Sequence, residues 1–391
     1  MTSSPHSDTA SSPQDRPRAS LPKTILLIII PVLAGLGLLE TAARFHEVWH
    51  PPLTVDIGQG FTGQSRLFVP EPGNPAMMVT NPHKTVSFRA QTFRREKPPR
   101  TFRIFALGGS SVNYLDYEFP LLAQRLAGTL PGIDAAEIIN CGGLSYGSHR
   151  LVLVAREVLG YQPDLVMVYS GHNEFEELDQ LAIARRETVW LQEMLSHSAL
   201  YRFIRDRVAA RRLRAIEEAR RRQEALAESS PDTGKTWNYI YTDTQKEARM
   251  RAYRANLAAI IEACRDARVP IVIGTVPSNL MRPNLFGPDR AAYEEALALF
   301  RQGRYEDGRR AAQRVLCRAT RHQTSDIENG IIRELAAQYG VPLADVEAAV
   351  NAAEPHGIPG ETLFNDHCHL NPDGNRILVQ AYEAQIRRIF L

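Results

Sequence analysis

Four short blocks of small and polar residues follow apolar segments of this chain, and together they carry the groups needed for acyl transfer. "GGSS" at residues 108–111 offers a serine hydroxyl, and "NCGGLSYGS" at 140–148 offers backbone N–H groups. "SGHNEF" at 170–175 adds an asparagine amide, and "DHCH" at 366–369 adds a carboxylate beside imidazoles. A serine nucleophile, oxyanion donors, and a histidine base oriented by an aspartate are the groups that this chemistry requires.

The block at residues 366–369 has two other interpretations, a metal site and half of a disulfide. The cysteines of the chain are widely spread and form no CxxC pair: Cys141, Cys264, Cys317 and Cys368. Because no further Cys/His cluster stands near the block, a zinc site is not favoured, and Cys368 is interpreted as a packed thiol. A Cys264 to Cys317 disulfide stays open for an exported chain. We predict no metal and no organic cofactor.

Five short apolar runs are predicted strands, and helix-like stretches separate them. The runs cover residues 101–107, 136–140, 164–170, 270–276 and 341–346. Strands that alternate with helices predict parallel βαβ units whose sheet is covered on both faces. The four blocks follow the first, second, third and fifth runs, and the carboxyl ends of parallel strands share one edge. We therefore predict a three-layer α/β sandwich with a mainly parallel, about five-stranded sheet that brings the blocks together. After the last block, "LNPDG" predicts a helix start, with Asn371 as the N-cap and Pro372 as the first helical residue.

An apolar run near the N-terminus predicts a transmembrane helix. Residues 1–23 are rich in Ser, Pro and Asp and are predicted to be a disordered cytoplasmic tail. The run Ile25–Leu39 follows basic residues, and a helix over 24–43 is long enough to cross a bilayer as a signal anchor. A signal peptide cleaved at "TAA" is the alternative. Both interpretations export the remaining chain.

The rest of the chain divides into a lead-in and one domain with two insertions. Residues 44–100 are rich in Pro, Gly and Asn and are predicted to be irregular, and 101–391 form the domain. The insertion at about 181–250 has alternating charges at helical spacing, typical of a solvated helix, with a membrane-surface helix or lid as the alternative. The insertion at about 285–330 resembles a single tetratricopeptide helix pair. A formal net charge of +2 argues against nucleic acid as a partner.

The four blocks, in this order, resemble those of the SGNH (GDSL-type) hydrolase superfamily of esterases, lipases, thioesterases and carbohydrate acetylesterases. The resemblance runs from Phe102 to about Phe390 and implies a flavodoxin-like fold. It also implies that Ser110 is the nucleophile, that His369 is the base and that Asp366 orients His369. An anchor followed by a lead-in that ends in "TFRIFALGGSS" is similar to membrane-anchored bacterial members.

The resemblance assigns the oxyanion donors to the backbone N–H of the nucleophile, a backbone N–H of the second block, and the Asn173 side chain. The sequence departs from the family pattern in three places. Gly109 replaces the usual aspartate before the nucleophile, and Glu174 replaces the aspartate after the asparagine. Ser145 stands where glycine is common, so the backbone donor is either Ser145 or Gly143.

The predicted function is hydrolysis of an ester-bearing small molecule, lipid or polysaccharide by a protein of the inner membrane whose catalytic domain faces the periplasm. Acyl transfer to a sugar hydroxyl of an envelope polysaccharide would use the same residues. His367 is a weaker candidate for the base than His369, because in the family the aspartate and the histidine stand three residues apart. A non-catalytic envelope scaffold that binds partners through its helical insertions is the third possibility, and the intact Ser/Asn/Asp/His set argues against it.

Overall fold

The computed structural model describes residues 21–50, 66–85, 87–176, 191, 194–195, 197–208, 211, 241–285 and 287–391. Their strands are β1 (Phe68–Glu71), β2 (Asn74–Thr80), β3 (Thr92–Arg94), β4 (Thr101–Gly108), β5 (Ala135–Gly142), β6 (Leu165–Tyr169), β7 (Ile271–Gly274) and β8 (Leu343–Ala344). Their α-helices are α1 (Leu21–Trp49), α2 (Ser110–Asn113), α3 (Glu118–Ala127), α4 (Ser148–Val158), α5 (Asp243–Asp266), α6 (Gly287–Arg301), α7 (Tyr305–Leu316), α8 (Asp326–Tyr339), α9 (Val346–Ala353) and α10 (Pro372–Phe390). Residues 199–208 are also helical.

The central sheet has five parallel strands in the order β5-β4-β6-β7-β8. Every residue of β4, β6 and β7 is buried, as expected for parallel strands covered on both faces. Such strands appear in the sequence as continuous apolar runs, and all five predicted runs contain a strand. The predicted α/β fold with a five-stranded parallel sheet is therefore confirmed.

Helices cover the two faces of this sheet. The helices α3, α9 and α10 pack together on one side, and α4, α5 and α8 pack together on the other. A buried tyrosine from each layer reaches the carboxyl end of β6: Tyr382 of α10 donates to the Val168 carbonyl at 2.6 Å, and Tyr253 of α5 donates to the Ser170 carbonyl at 2.7 Å. These bonds fix both layers relative to the strand edge where the four blocks meet.

The lead-in, expected to be irregular over 44–100, contains a three-stranded antiparallel sheet in the order β1-β2-β3. Phe68 of β1 packs edge-on against Phe93 of β3, with ring centroids 4.9 Å apart. The Glu157 carboxylate accepts hydrogen bonds from the N–H groups of Leu67 and Phe68 at 2.7 and 2.8 Å, which attaches this sheet to α4. Two of the strands are only 3 or 4 residues long. Such short strands give no readable alternation among Pro and Gly residues.

The helix α1 has 29 residues and ends at Trp49, beyond the predicted end at residue 43. Among the described residues it is the one helix long and apolar enough to cross a membrane, a property that signal sequences share. The large apolar side chains described in its apolar run are exposed, with Leu27 72% and Leu33 61% accessible. This helix is therefore not part of the domain core.

The two predicted insertions differ in how much of them is described. The insertion at about 181–250 lies mostly outside the described residues, apart from a few positions, the helical residues 199–208 and the start of α5. At about 285–330, α6 and α7 form the expected helix pair around a small apolar cluster that includes Tyr293 and Phe300 and also Leu280 and Ile358 from outside the pair. Its relation to tetratricopeptide repeats stays a prediction. All four cysteines are free thiols, so Cys264 and Cys317 are not bridged.

Candidate active site

Ser110 stands at the turn between β4 and α2. It is the first residue of α2, and Gly109 is the N-cap in extended conformation. A side chain at either preceding glycine would collide with the site: a Cβ on Gly108 would lie 2.3 Å from the Tyr169 carbonyl oxygen, and one on Gly109 would lie 2.4 Å from the Asn173 amide nitrogen. The two glycines therefore let the strand turn sharply and bring the asparagine next to the serine.

His369 links Ser110 to Asp366 through its two ring nitrogens. Its Nε2 lies 2.7 Å from the Ser110 hydroxyl oxygen, and its Nδ1 lies 2.6 Å from Asp366 Oδ2. The other oxygen of Asp366 accepts the backbone N–H groups of Cys368 and His369 at 2.8 and 2.7 Å. Burial opposes ionisation of Asp366, but the hydrogen bonds from His369 and these backbone groups prevail and hold its pKa well below the usual range. The carboxylate is thus charged and oriented.

Contacts on both sides hold the segment from Asp366 to His369, called here the acid–base arm. Asn279, after β7, donates its side-chain amide to the Asp366 carbonyl and its backbone N–H to the His367 carbonyl, both at 3.0 Å. On the other side Asn371 caps α10 by accepting the N–H groups of Asp373 and Gly374. The helix start predicted from "LNPDG" is confirmed, and the arm has little freedom to move.

The imidazole of His369 is enclosed by a sulfur and an aromatic ring. Cys368 Sγ lies 3.6 Å from Nδ1 and 3.9 Å from Nε2, and the Tyr114 ring centroid lies 5.1 Å from the imidazole centroid. Donor atoms of Asp366, Cys368 and His369 come within 4.8 Å of one another, a spacing that a metal could use. However, Nδ1 is engaged with Asp366, and burial raises the pKa of the Cys368 thiol well above its usual value, whereas metals bind the thiolate. The donor set suits acid–base chemistry better than metal ligation.

The loop after β5 carries the two candidates for a backbone oxyanion donor. The N–H of Gly143 donates to the Gly108 carbonyl at 3.0 Å. Ser145 has a φ of +60°, in the left-handed region, and within the described residues its N–H has no acceptor. The Asn173 side chain donates to the Tyr146 carbonyl at 3.0 Å, which fixes its amide beside this loop.

A cluster of charged side chains, called here the Ser145 support, surrounds that left-handed residue. Arg150 donates to the Ser145 carbonyl, and its guanidinium lies 3.9 Å from the centroid of the Tyr146 ring. Burial opposes ionisation of Glu176, but hydrogen bonds from His322 and from the Ser145 hydroxyl prevail and lower the pKa of its carboxyl. His322 Nδ1 lies 3.8 Å from that carboxylate. Sequence reasoning did not find this cluster, since its members come from three separate parts of the chain.

The remaining polar residues near the blocks are buried or partly buried, and none of them contacts Ser110 in the described residues. Glu174 accepts the N–H and hydroxyl of Ser148 at 2.7 and 2.8 Å and pairs with buried Arg249, so it has a structural role. Burial lowers the pKa of His172 to about 3 and that of His367 to about 4. His367 Nδ1 lies 3.9 Å from Asp366 Oδ1, farther than a hydrogen bond. His369 is the histidine that contacts Ser110.

Comparisons with known proteins agree with the resemblance read from the four blocks. The sequence model of the GDSL-like lipase/acylhydrolase family matches residues 106–377, more than half of the chain and all four blocks. Similar solved structures include a GDSL-like lipase from Bacteroides thetaiotaomicron, with 12% identity over 73% of this chain and 88% of that chain at a TM-score of 0.39. An acetylxylan esterase from Geobacillus stearothermophilus has 13% identity over 73% of this chain and 94% of that chain, also at 0.39. A search of curated proteins gave no match. The chain belongs to the GDSL-like lipase/acylhydrolase family.

Proposed function

We propose that the protein hydrolyses esters through an acyl-enzyme on Ser110. The observation that carries this proposal is the unbroken chain of short contacts from the Ser110 hydroxyl through His369 to Asp366, 2.7 and 2.6 Å long. Such a chain lets a neutral imidazole remove the serine proton while an ionised carboxylate stabilises the imidazolium that forms. Membership in a family of lipases and acylhydrolases supports the same reaction class.

In the acylation step, Ser110 Oγ attacks the ester carbonyl carbon as His369 Nε2 takes the hydroxyl proton. The tetrahedral intermediate collapses when Nε2 returns that proton to the departing alkoxide, which leaves an alcohol and an acyl-serine. In deacylation, Nε2 takes a proton from water as the water oxygen adds to the acyl carbon. The second tetrahedral intermediate collapses when the bond to Ser110 Oγ breaks and Nε2 returns that proton to Oγ, which releases the acid. Throughout, Asp366 keeps the second ring proton on Nδ1, so that Nε2 faces the serine.

The developing oxyanion is stabilised in this proposal by the N–H of Ser110, the N–H of Ser145 and the amide of Asn173. The N–H of Ser110 lies in the first turn of α2, where N–H groups have no acceptor within the helix. We assign the second donor to Ser145 instead of Gly143, because the Gly143 N–H already donates to the Gly108 carbonyl. Donors fixed before the reaction are effective because they need no rearrangement when charge forms.

We also propose that α1 tethers the domain to the inner membrane as a single-pass anchor, with the tail of residues 1–23 in the cytoplasm and the hydrolase domain outside. The apolar composition of α1 and the basic residues before Ile25 support this orientation. The substrate class is an ester that reaches an envelope protein, whether small molecule, lipid or polysaccharide. The half-exposed Tyr114 beside His369 offers an aromatic wall for such a substrate.

Labelling with a fluorophosphonate, together with a short-chain aryl ester assay, tests the proposal. We expect the purified wild type and the matched control Ser111→Ala to take label and hydrolyse the ester, and Ser110→Ala to do neither while its circular dichroism is unchanged. A folded wild type without label or turnover would favour the scaffold interpretation. Label on Ser110→Ala would show that another residue is the nucleophile. A sugar acceptor added to the assay separates the two reactions: hydrolysis releases free acid, whereas acyl transfer forms an acylated sugar.

A further inference from the structure

The part of α1 beyond its apolar run is a docking surface for another segment of the chain. The polar residues Glu40 and Glu47 and the buried Ala43 recur at helical spacing on one face of α1. This face lies against residues 197–208, which belong to the long insertion. An apolar helix that only targeted the chain to a membrane would have no need of such a face.

Glu40 caps the helix formed by residues 199–208. Its carboxylate accepts the Ser198 hydroxyl at 2.7 Å and the N–H groups of Ala199 and Leu200 at 2.9 and 3.0 Å. Free N–H groups at a helix start need acceptors, and a carboxylate also interacts favourably with the positive end of the helix dipole. The cap thus comes from a residue about 160 positions earlier in the chain.

About two turns beyond Glu40, a second contact fixes the orientation of the 199–208 helix relative to α1. Glu47 binds the Arg202 guanidinium through both oxygens, at 2.8 and 2.6 Å, and both side chains are largely buried. The His46 ring meets the edge of Phe203, with centroids 5.0 Å apart. A bidentate pair restricts orientation as well as distance, so the helix runs beside α1 from Glu40 toward the end of α1.

The opposite face of α1 is apolar and stays exposed. Leu38, Phe45 and Trp49 lie on it at helical spacing, with 74, 70 and 80% of their surface accessible, and Val48 is 73% accessible. This face continues the apolar surface of the preceding run into the part of α1 that carries Glu40 and Glu47. Aromatic side chains of this kind are enriched where a membrane helix passes the headgroup layer.

We propose that residues 40–49 of α1 and residues 197–208 form a permanent docked pair at the membrane surface, with the apolar face of Phe45, Val48 and Trp49 in the headgroup layer of the bilayer. In this arrangement α1 is retained after export and holds the long insertion next to the lipid. Cleavage at "TAA", residues 41–43, would remove Glu40 and leave the start of the 199–208 helix without its cap. The docked pair therefore distinguishes an anchor from a removable signal peptide. It rests on the proposed anchor role of α1 and does not depend on the proposed ester hydrolysis.

The first test follows the N-terminus of the full-length protein produced in bacterial membranes with an N-terminal tag. We expect the tag to stay on the protein and the intact mass to include α1. Trypsin should cut at Arg202, Arg205 and Arg207 at least tenfold faster in Glu40→Gln/Glu47→Gln than in wild type, since the lost bonds to charged groups protect this segment. Glu306→Gln, a Glu-to-Gln change on α7 away from this contact, is the control, and trypsin should cut it at the wild-type rate. Removal of the tag together with a new N-terminus near residue 44, or equal cleavage of all three proteins, would overturn the proposal.

The second test measures where Trp49 lies. A variant with Trp190→Phe and Trp237→Phe retains Trp49 as its single tryptophan, and it is reconstituted into vesicles of phosphatidylcholine and phosphatidylglycerol. We expect brominated lipids with bromine near the headgroups to quench Trp49 fluorescence more strongly than lipids brominated near the chain ends, and aqueous acrylamide to quench it weakly. Strong acrylamide quenching with no effect of either brominated lipid would show that this face is in water.

Discussion

The acid–base arm contacts Ser110 and the loop that carries Ser145 lies beside Gly108 and Gly109, but the two elements are held in different ways. In the arm, the contacts that orient His369 come from Asp366, three residues away, and from the backbone between them. In the loop, Ser145 contacts Arg150 and Glu176, and Glu176 in turn contacts His322, which follows α7. His369 is oriented from within its own block, whereas Glu176 and His322 reach the Ser145 loop from distant parts of the sequence.

The conformations of the two elements differ as well. The arm leads into a capped helix, and Asn371 and Pro372 stand at positions that suit them. Ser145 instead adopts a left-handed conformation that costs about 1–2 kcal/mol for a residue with a side chain. Interactions of the Ser145 support must offset that cost. The difference predicts that substitutions of Asp366 or His369 impair catalysis directly, whereas substitutions around Ser145 act through backbone position and are open to rescue.

The largest effect is expected in the arm. Asp366→Asn presents an amide to Nδ1 of His369 and favours the wrong tautomer, so kcat should fall by roughly 10³- to 10⁴-fold with little change in KM. Steady-state kinetics with an aryl ester checks this expectation. Asp373→Asn, which changes an aspartate of the neighbouring helix start, should retain nearly full activity. If the two variants were equally active, Asp366 would not orient the base.

Removal of a proposed oxyanion donor should cost somewhat less. Asn173→Ala deletes an amide that acts when charge develops, and kcat should fall by about 10²- to 10³-fold while KM stays nearly constant. Because Asn173 also donates to the Tyr146 carbonyl, the thermal unfolding midpoint is measured in parallel. A rise in KM at constant kcat would instead indicate a role in substrate binding.

Sequence reasoning succeeded where the information is local. The parallel strands are continuous apolar runs, and the cap at Asn371 precedes Pro372, so both were predicted from neighbouring residues. It failed where distant residues decide the structure. The sheet β1-β2-β3 has strands too short for a periodic signal, and α1 extends to Trp49 because Glu47 and its neighbours find partners in the 197–208 segment.

The site shows the same division. Asp366 and His369 were predicted from one block, but nothing near Ser145 in the sequence shows that Glu176 and His322 support it. The choice between Ser145 and Gly143 stayed open for the same reason, since it depends on the hydrogen bond from the Gly143 N–H to β4. Whether these residues act as proposed stays a prediction for kinetics.

Substitutions in the Ser145 support are expected to lower kcat moderately, and a glycine at position 145 should make kcat nearly insensitive to the loss of Glu176. Glu176→Gln weakens the bond to the Ser145 hydroxyl, and kcat should fall by about tenfold, the factor that corresponds to about 1.4 kcal/mol. Ser145→Ala should lose a similar factor, because it removes the same bond and keeps a side chain in the left-handed conformation. Ser145→Gly adopts this conformation without strain, so Glu176→Gln added to it should cost less than twofold. An equal loss in both backgrounds would exclude a role of Glu176 in positioning Ser145.

The smallest effect is expected from the thiol inside the arm. Burial raises the pKa of the Cys368 thiol well above its usual value, so at neutral pH it is protonated and inert as a nucleophile or metal ligand. Cys368→Ala removes only packing against His369, and kcat should change by less than about threefold. Iodoacetamide should leave the folded wild type active, and a chelator should have no effect. Two results together would instead favour metal ligation by Asp366, Cys368 and His369: a large loss of kcat in Cys368→Ala, and a change in wild-type activity when zinc is added. The arm would then not have the acid–base role that distinguishes it from the Ser145 loop.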